Sequence, residues 1–267
     1  MTNEMKSAGR WAVVTGGTRG IGLELAKGLI QRGYNLLIVG RSESHLTEAV
    51  ALLRSLGRGE VVGLQMDLSA PDAARRLHEE CLARALEVEV LVNNAGLFAY
   101  CDLADMEPER AERMLMLHVV TATGLCRLFG EEMRTRGRGY ILNVSSYAAW
   151  LPLAGLSVYS ATKSYLRDFS RALGEELRGS GVRVTALLPA GVATELLGLS
   201  ERYLQWGVRL GVLMRPERVA MVALKGLFAG RRRVVPGWAN RAILPIACHL
   251  PRWVRRVLRK KTVGFQK

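Results

Sequence analysis

Residues Arg10–Gly22 read RWAVVTGGTRGIG, a short apolar run from Arg10 to Thr15 that feeds directly into a glycine-rich turn, Thr15 to Gly22. Beyond the turn, Ile21 to Gln31 carries apolar residues at helical spacing. Strand, glycine turn and helix together make a phosphate-binding βα unit. Glycines let the backbone approach a pyrophosphate, and a helix N-terminus favours its negative charge. Glycine-rich turns alone are common, and the flanking strand and helix make this one specific. Gly16, Thr18, Arg19, Gly20, Ile21 and Gly22 are the candidate cradle.

The same alternation continues outward. Tyr34 to Val39 is a second apolar strand, ended by Gly40-Arg41-Ser42. An acid at that point would hold a free ribose 2′-hydroxyl. Arg41 stands there instead, and Arg19 could add a second positive group, so two arginines favour a 2′-phosphate and NADP(H) over NAD(H). Glu43 to Leu56 reads as helix, Glu60 to Met66 as strand with Asp67 the first polar residue past it, and 70–86 as helix with Pro71 in its first turn. Val88 to Val92 is a strand closing on Asn93-Asn94-Ala95-Gly96, and one long helix then runs from Pro108 to about Arg136. The strand Tyr140 to Val144, a helix holding Tyr159 and Lys163, and the strand Val182 to Leu188 follow. Pro189 to Thr194, with Val192 inside it, forms another turn at a strand's carboxyl end, where open α/β sheets place ligands. A helix at 216–229 and a strand from Arg233 to Val235 complete the series. The pattern predicts a doubly wound, Rossmann-type α/β fold: one parallel sheet of about seven strands with helices on both faces.

Within that frame the stretch Asn143–Lys163, NVSSYAAWLPLAGLSVYSATK, carries the chemistry. Tyr159 and Lys163 are four apart and so share one helix face. A nearby ammonium is expected to lower a phenol from its usual pKa of about 10. Ser146, at the end of the strand, could hold a carbonyl oxygen beside that phenol, with Ser145 as the neighbouring alternative.

With these residues in order, the chain resembles the short-chain dehydrogenase/reductase family from about Arg10 to Val235. TGGTRGIG is similar to that family's cofactor loop TGxxxGxG, NNAG at 93–96 to its sheet-stabilising motif, and Ser146 with Tyr159-x-x-x-Lys163 to its catalytic signature. The resemblance implies an NADP-dependent enzyme acting on CH–OH groups. Tyr159 would exchange the proton, Lys163 would lower its pKa and bind the nicotinamide ribose, and Ser146 would polarise the carbonyl. It also implies that Thr194 contacts the nicotinamide carboxamide and Asp67 the adenine, with Asn93, Ala95 and Gly96 beside the cofactor. Two positions depart from the family pattern. His118 stands where the family places a catalytic asparagine, and Pro189-Ala190 replaces Pro-Gly. His118 could keep the backbone contribution, add an imidazole to the proton path or weaken the relay. The competing reading is a dinucleotide-binding regulator without turnover, with His118 as its lesion; the intact Ser146, Tyr159 and Lys163 favour the enzyme.

Composition bounds the rest. A chain of 267 residues, 49% hydrophobic and 23% charged, suits one large globular domain and excludes a disordered chain. Residues 1–238 are expected to form a single catalytic domain and 239–267 a basic extension. Cys81, Cys101, Cys126 and Cys248 are scattered, giving no zinc pattern or disulfide framework and pointing to a reducing compartment. The start, MTNEMKSAGRW, lacks a signal-peptide core, and no run approaches the roughly 20 apolar residues of a spanning helix. A cytoplasmic location is expected. Of the net charge of +14, eleven positive residues lie in 231–267, which contains no acid, leaving +3 for everything before. In RWVRRVLRKK, Trp253, Val254, Val257 and Leu258 share one face and the cations the other, a pattern open to membrane-surface contact through residues 241–261. Packing of that apolar face on its own domain is the alternative, and no nucleic-acid reading motif accompanies the charge. The segments with Trp150 and with Leu197 and Trp206 suit an apolar substrate wall for a ketosteroid, 3-oxoacyl or similar lipid-like ketone, with packing of a lid helix or a subunit contact as the equal alternative. The family habit implies a homo-dimer or homo-tetramer through the long helices. No metal ligands are expected.

Overall fold

A computed structural model of the chain describes residues 9–151, 153–194, 202, 205, 208 and 213–237. β1 (Trp11–Thr15) is buried along its whole length, as a strand covered on both faces must be. It pairs in parallel with β2 (Asn35–Gly40) on one side and β4 (Val88–Asn93) on the other. β3 (Val61–Gln65) lies outside β2, while β5 (Gly139–Val144), β6 (Val182–Leu187) and β7 (Arg233–Val234) extend the sheet beyond β4. The order β3-β2-β1-β4-β5-β6-β7 places seven parallel strands in one sheet, as the alternation predicted. The connections leave in opposite directions from β1 and β4, which opens a crevice at their carboxyl ends.

Period-two alternation sends Ala12 and Val14 to one face and Trp11 and Val13 to the other. The first face packs on α1 (Gly20–Ile30), α2 (Glu43–Leu56) and α7 (Pro216–Phe228), through Leu25, Leu29, Leu53 and Leu224 among others. The second packs on α3 (Ala73–Ala83) and α5 (Ala122–Arg136), through Leu77, Leu125 and Phe129. α6 (Ser157–Glu176) crosses beside β5 and β6 and brings Phe169 and Leu173 to this second core.

Two expectations need correction. Pro71 precedes the third helix instead of opening it, because Asp72 takes the left-handed conformation (φ 57°) as N-cap and the helix starts at Ala73. The helix expected to run unbroken from Pro108 is divided into α4 (Pro108–Leu115), a π turn (Met116–Thr121) and α5. The β-branched run Val119-Val120-Thr121 is a poor α-helix former. Thr121 Oγ1 moreover donates to the Leu68 carbonyl at 2.8 Å, tying this turn to the loop after β3.

Asn93 and Asn143, paired in register on β4 and β5, are joined by an Nδ2–H to Oδ1 hydrogen bond of 2.8 Å. Asn143 Nδ2 donates onward to Ser170 Oγ on α6 at 2.9 Å. This buried polar chain fixes α6, and every functional side chain it carries, against the sheet.

Phe129 is fully buried between α5 and the sheet. Phe129→Ala is expected to cost about 3–5 kcal/mol of unfolding free energy, from lost transfer energy and the cavity left behind. A lower urea midpoint at an unchanged slope would show it.

Candidate active site

The crevice at the carboxyl ends of β1, β2 and β4 is a cavity of about 1070 Å³. Gly16, Thr18, Arg19, Gly20 and Ile21 form one side. Gly16 adopts φ +64°, and a Cβ there would lie 2.9 Å from Ala95 Cα, so only glycine lets the turn close on the β4 loop. Gly22 lies inside the turn, where any Cβ would collide with the Gly16 carbonyl oxygen. The first turn of α1 has neither a side-chain cap nor an acid, and the positive end of the helix dipole there favours negative charge. A Cβ at Gly20 would lie 3.1 Å from Thr194 Cγ2, which puts Thr194 against the glycine turn on the far wall.

Arg41, Ser42 and His45 line the outer end of the cavity, together with Asp67. Ser42 caps α2 by accepting from the His45 N–H at 3.4 Å. Asp67 Oδ1 accepts from Ser69 N at 2.9 Å and Ser69 Oγ at 2.7 Å, while its Oδ2 meets Arg113 at 3.2 Å. Desolvation is the largest single influence on this carboxyl and raises its pKa. The Ser69 hydrogen bonds and the Arg113 and Arg41 guanidiniums together outweigh it and hold the group below its usual value.

At the inner end the cavity reaches Ala95, Gly96 and Leu97; the expected acid–base residues Ser146, Tyr159 and Lys163 do not line it, and Lys163 approaches it through Gly96. Lys163 is 4% exposed, and its Nζ donates to the Val144 carbonyl at 3.0 Å. The same Nζ lies 3.8 Å from where a Cβ on Gly96 would stand. Tyr159, 9% exposed, lies near enough to Ser146 for that hydroxyl to act on the phenol. Ser146 Oγ also accepts from Ala148 N at 3.1 Å. The choice between the two serines is thus geometric. Ser145 Oγ turns the other way and donates to the Lys163 carbonyl at 2.6 Å, holding the helix instead of the phenol.

The family profile described as short chain dehydrogenase matches residues 10–203. The very-long-chain 3-oxoacyl-CoA reductase of Rattus norvegicus is 31% identical over 265 residues, covering 97% of this chain and 80% of the rat protein. The chain belongs to the short-chain dehydrogenase family. Among solved structures, a short-chain dehydrogenase from Sphingobium yanoikuyae in complex with NADPH has 27% identity and a TM-score of 0.77, covering 91% of this chain and 97% of its own. A candidate NAD(P)-dependent gluconate 5-dehydrogenase from Beutenbergia cavernae with bound NADP at low occupancy has 30% identity and a TM-score of 0.74, over 86% and 95% of the two chains.

Within this family member, several positions differ from expectation. Asn93 does not face the cavity. Its side chain points into the sheet toward Asn143 and Cys126, and it is Asn94 that lines the crevice. Asn94 Nδ2 donates to the Thr15 and Gly16 carbonyls, both at 3.0 Å. Val192 is buried in the core, bridged to Met214, and leaves the cavity wall to Ala193 and Thr194. Trp150 lies on another surface, with its ring centroid 5.5 Å from Arg167 Cζ and 5.6 Å from Arg233 Cζ. It packs there on Ala186, Leu188 and Val235 and does not line the cavity. Leu197, Trp206 and the basic tail at 239–267 lie outside the described residues.

The sequence reading missed Phe98, whose ring meets Tyr159 edge-on with centroids 5.0 Å apart. It belongs to an apolar cluster with Ala99, Met106, Met114, Leu156 and Tyr159 that sits over the phenol. Only the spacing after NNAG could have pointed to it. Among the described residues no helix is long and apolar enough to cross a membrane, and no group of His, Cys, Asp or Glu gathers as a metal site.

The expected effect of Lys163 on the phenol is also corrected. Burial raises the Tyr159 pKa above its usual value, with the neighbouring Ser146 hydroxyl opposing it, and burial pushes Lys163 down to about 7. Both groups have been taken from water, and desolvation penalises each charged form. Between pH 7 and 10.5 the unfolded chain therefore binds a proton at Lys163 that the folded chain does not, so stability rises with pH across that window. Lys163→Met removes the group. Its denaturant midpoint is expected to lack this rise, so that the wild type gains on the variant from neutral to alkaline pH.

Proposed function

We propose that the protein is an NADPH-dependent reductase of a lipid-like 3-oxo compound, such as a 3-oxoacyl thioester, interconverting a carbonyl and a hydroxyl group. The observation that carries this reading is the placing of Ser146 close to the Tyr159 phenol, which sits in an apolar cluster one helical turn from the buried Lys163. The uncapped start of α1 and the glycine turn would hold the pyrophosphate, Arg41 and Arg19 a 2′-phosphate, and Asp67 the adenine side. NADPH, when bound there, supplies the hydride.

The chain's own residues then manage the oxygen. The Tyr159 phenol donates its proton to the carbonyl oxygen as negative charge builds on it, and the Ser146 hydroxyl donates a hydrogen bond to the same atom. A raised phenol pKa keeps Tyr159 protonated at neutral pH, the form a reductase needs. Lys163, drawn near neutrality by burial, can replace the lost proton from the inner side. Phe98, edge-on to Tyr159, with Leu97, Tyr100 and Val158, all partly buried on the same cluster, would give the site an apolar side that suits an acyl chain better than a sugar or a small anion. The reductase from Rattus norvegicus, similar along 97% of this chain, supports the same substrate class. Leu115, Val120 and Tyr165, exposed on the α4–α6 side, suit a homo-oligomer contact; a monomer mass by light scattering would remove that part.

The first test is NADPH oxidation, followed by absorbance, against 3-oxoacyl thioesters of increasing chain length, ketosteroids and small aldehydes, with NADH in parallel. Turnover that rises with chain length and favours NADPH is expected. Confinement to small aldehydes would overturn the substrate class. Bound dinucleotide with no turnover on any ketone would leave the non-catalytic reading. Tyr159→Phe should lower kcat by about 10²–10⁴-fold with dinucleotide affinity retained, since it removes the acid but not the groove. Arg41→Ala should weaken NADPH by about tenfold while leaving NADH unchanged, by loss of one charge-assisted contact.

A further inference from the structure

His118 sits in the π turn between α4 and α5 and is 1% exposed. Its two ring nitrogens are both engaged. The Leu97 N–H donates to Nε2 at 2.9 Å. A nitrogen that accepts carries no proton, so a neutral ring must hold its proton on Nδ1. Nδ1 lies 2.9 Å from Thr162 Oγ1, and that hydroxyl donates to the Tyr159 carbonyl at 2.8 Å. The donor directions agree along the whole chain, from Leu97 N–H to Nε2, from Nδ1–H to Thr162, and from Thr162 O–H to Tyr159. Burial and the neighbouring Lys163 ammonium keep the imidazole neutral, with its pKa well below the usual value. The ring also stands edge-on to Tyr159, with centroids 6.1 Å apart. No nitrogen remains to pass a proton, which removes the sequence expectation of an imidazole in the proton path.

We propose that His118 is a positioning residue: through Thr162 it fixes the Tyr159 turn of α6, and through Leu97 the loop after β4, so that phenol and cofactor loop keep a set separation. The proposal rests on Tyr159 being the acid. It assigns to a side chain a link between two elements that the sequence separates by 65 positions, from 97 to 162. The π turn serves it directly, since the extra residue in the turn re-aims the side chain that follows α4.

The test separates the two links. An asparagine amide reaches roughly the Nδ1 position and a glutamine amide roughly the Nε2 position. His118→Asn thus retains the Thr162 donor and His118→Gln the Leu97 acceptor, while His118→Phe retains neither. Thr162→Val removes the hydroxyl at constant shape. His118→Phe and Thr162→Val are each expected to lower kcat by about 10–100-fold, the scale of a small misplacement of a reacting group. The NADPH Kd should change little, His118→Asn should recover most of the rate, and the double variant should be no slower than the worse single one. Losses that multiply in the double variant, or an unchanged kcat in His118→Phe, would overturn the proposal. A second readout needs no substrate and so separates failure of this proposal from failure of the reductase reading. The Tyr159 ionisation, read as an ultraviolet difference titration against Tyr159→Phe, should move in His118→Phe and Thr162→Val and stay in place in Cys81→Ala, a core change elsewhere. An ionisation unmoved in both variants would reduce His118 to a core residue.

Discussion

The ladder between the parallel strands β1 and β4 ends at Val14 and Val92, so the turns beyond need another contact to hold them together. At the junction of β1 and β4, Thr15 does this with one hydroxyl. It donates to the Val92 carbonyl at 3.0 Å and accepts from the N–H groups of Asn94 at 2.9 Å and Ala95 at 3.1 Å. Asn94 returns two bonds to the Thr15 and Gly16 carbonyls. The glycine turn and the NNAG turn therefore move as one body. The crevice between them is a fixed feature of the fold, and the cofactor side of the site is built on that knot.

The acid–base side hangs from a second set of buried polar contacts. Asn93, Asn143 and Ser170 tie α6 to the sheet, Ser145 holds the Lys163 carbonyl, and Val144 receives the Lys163 ammonium. Each contact is buried, so each lost partner would leave a desolvated polar group, which is more costly than the bond itself is stabilising. Precision at Tyr159 follows from this overdetermination. It is also what makes Lys163 unfavourable for stability at neutral pH, since a site that fixes an ammonium out of water lowers its pKa.

Much of this was legible along the chain. Continuous apolar runs with glycine and asparagine turns at their ends specify a parallel sheet and its functional edge, because strands buried on both faces tolerate little else. The pairing of Tyr159 with Lys163 follows from helical period alone. Asn93 was misread because Asn93 and Asn94 are adjacent in a strand end, where one residue of register decides which points to the crevice and which to the interior. Trp150 was assigned to the substrate side because it follows Ser146, yet Arg167 and Arg233, from α6 and β7, draw it elsewhere.

The sequence by itself determined the family, the alternating fold, the glycine cradle and the tyrosine–lysine pair, since each depends on local periodicity or on a residue type with no substitute. Only the tertiary structure decided that Ser145 holds the Lys163 carbonyl, that Phe98 meets the Tyr159 ring, and that His118 spends both nitrogens on Leu97 and Thr162. These are contacts between segments distant in sequence. Their partners are chosen by strand register and helix packing, which no single stretch of chain encodes.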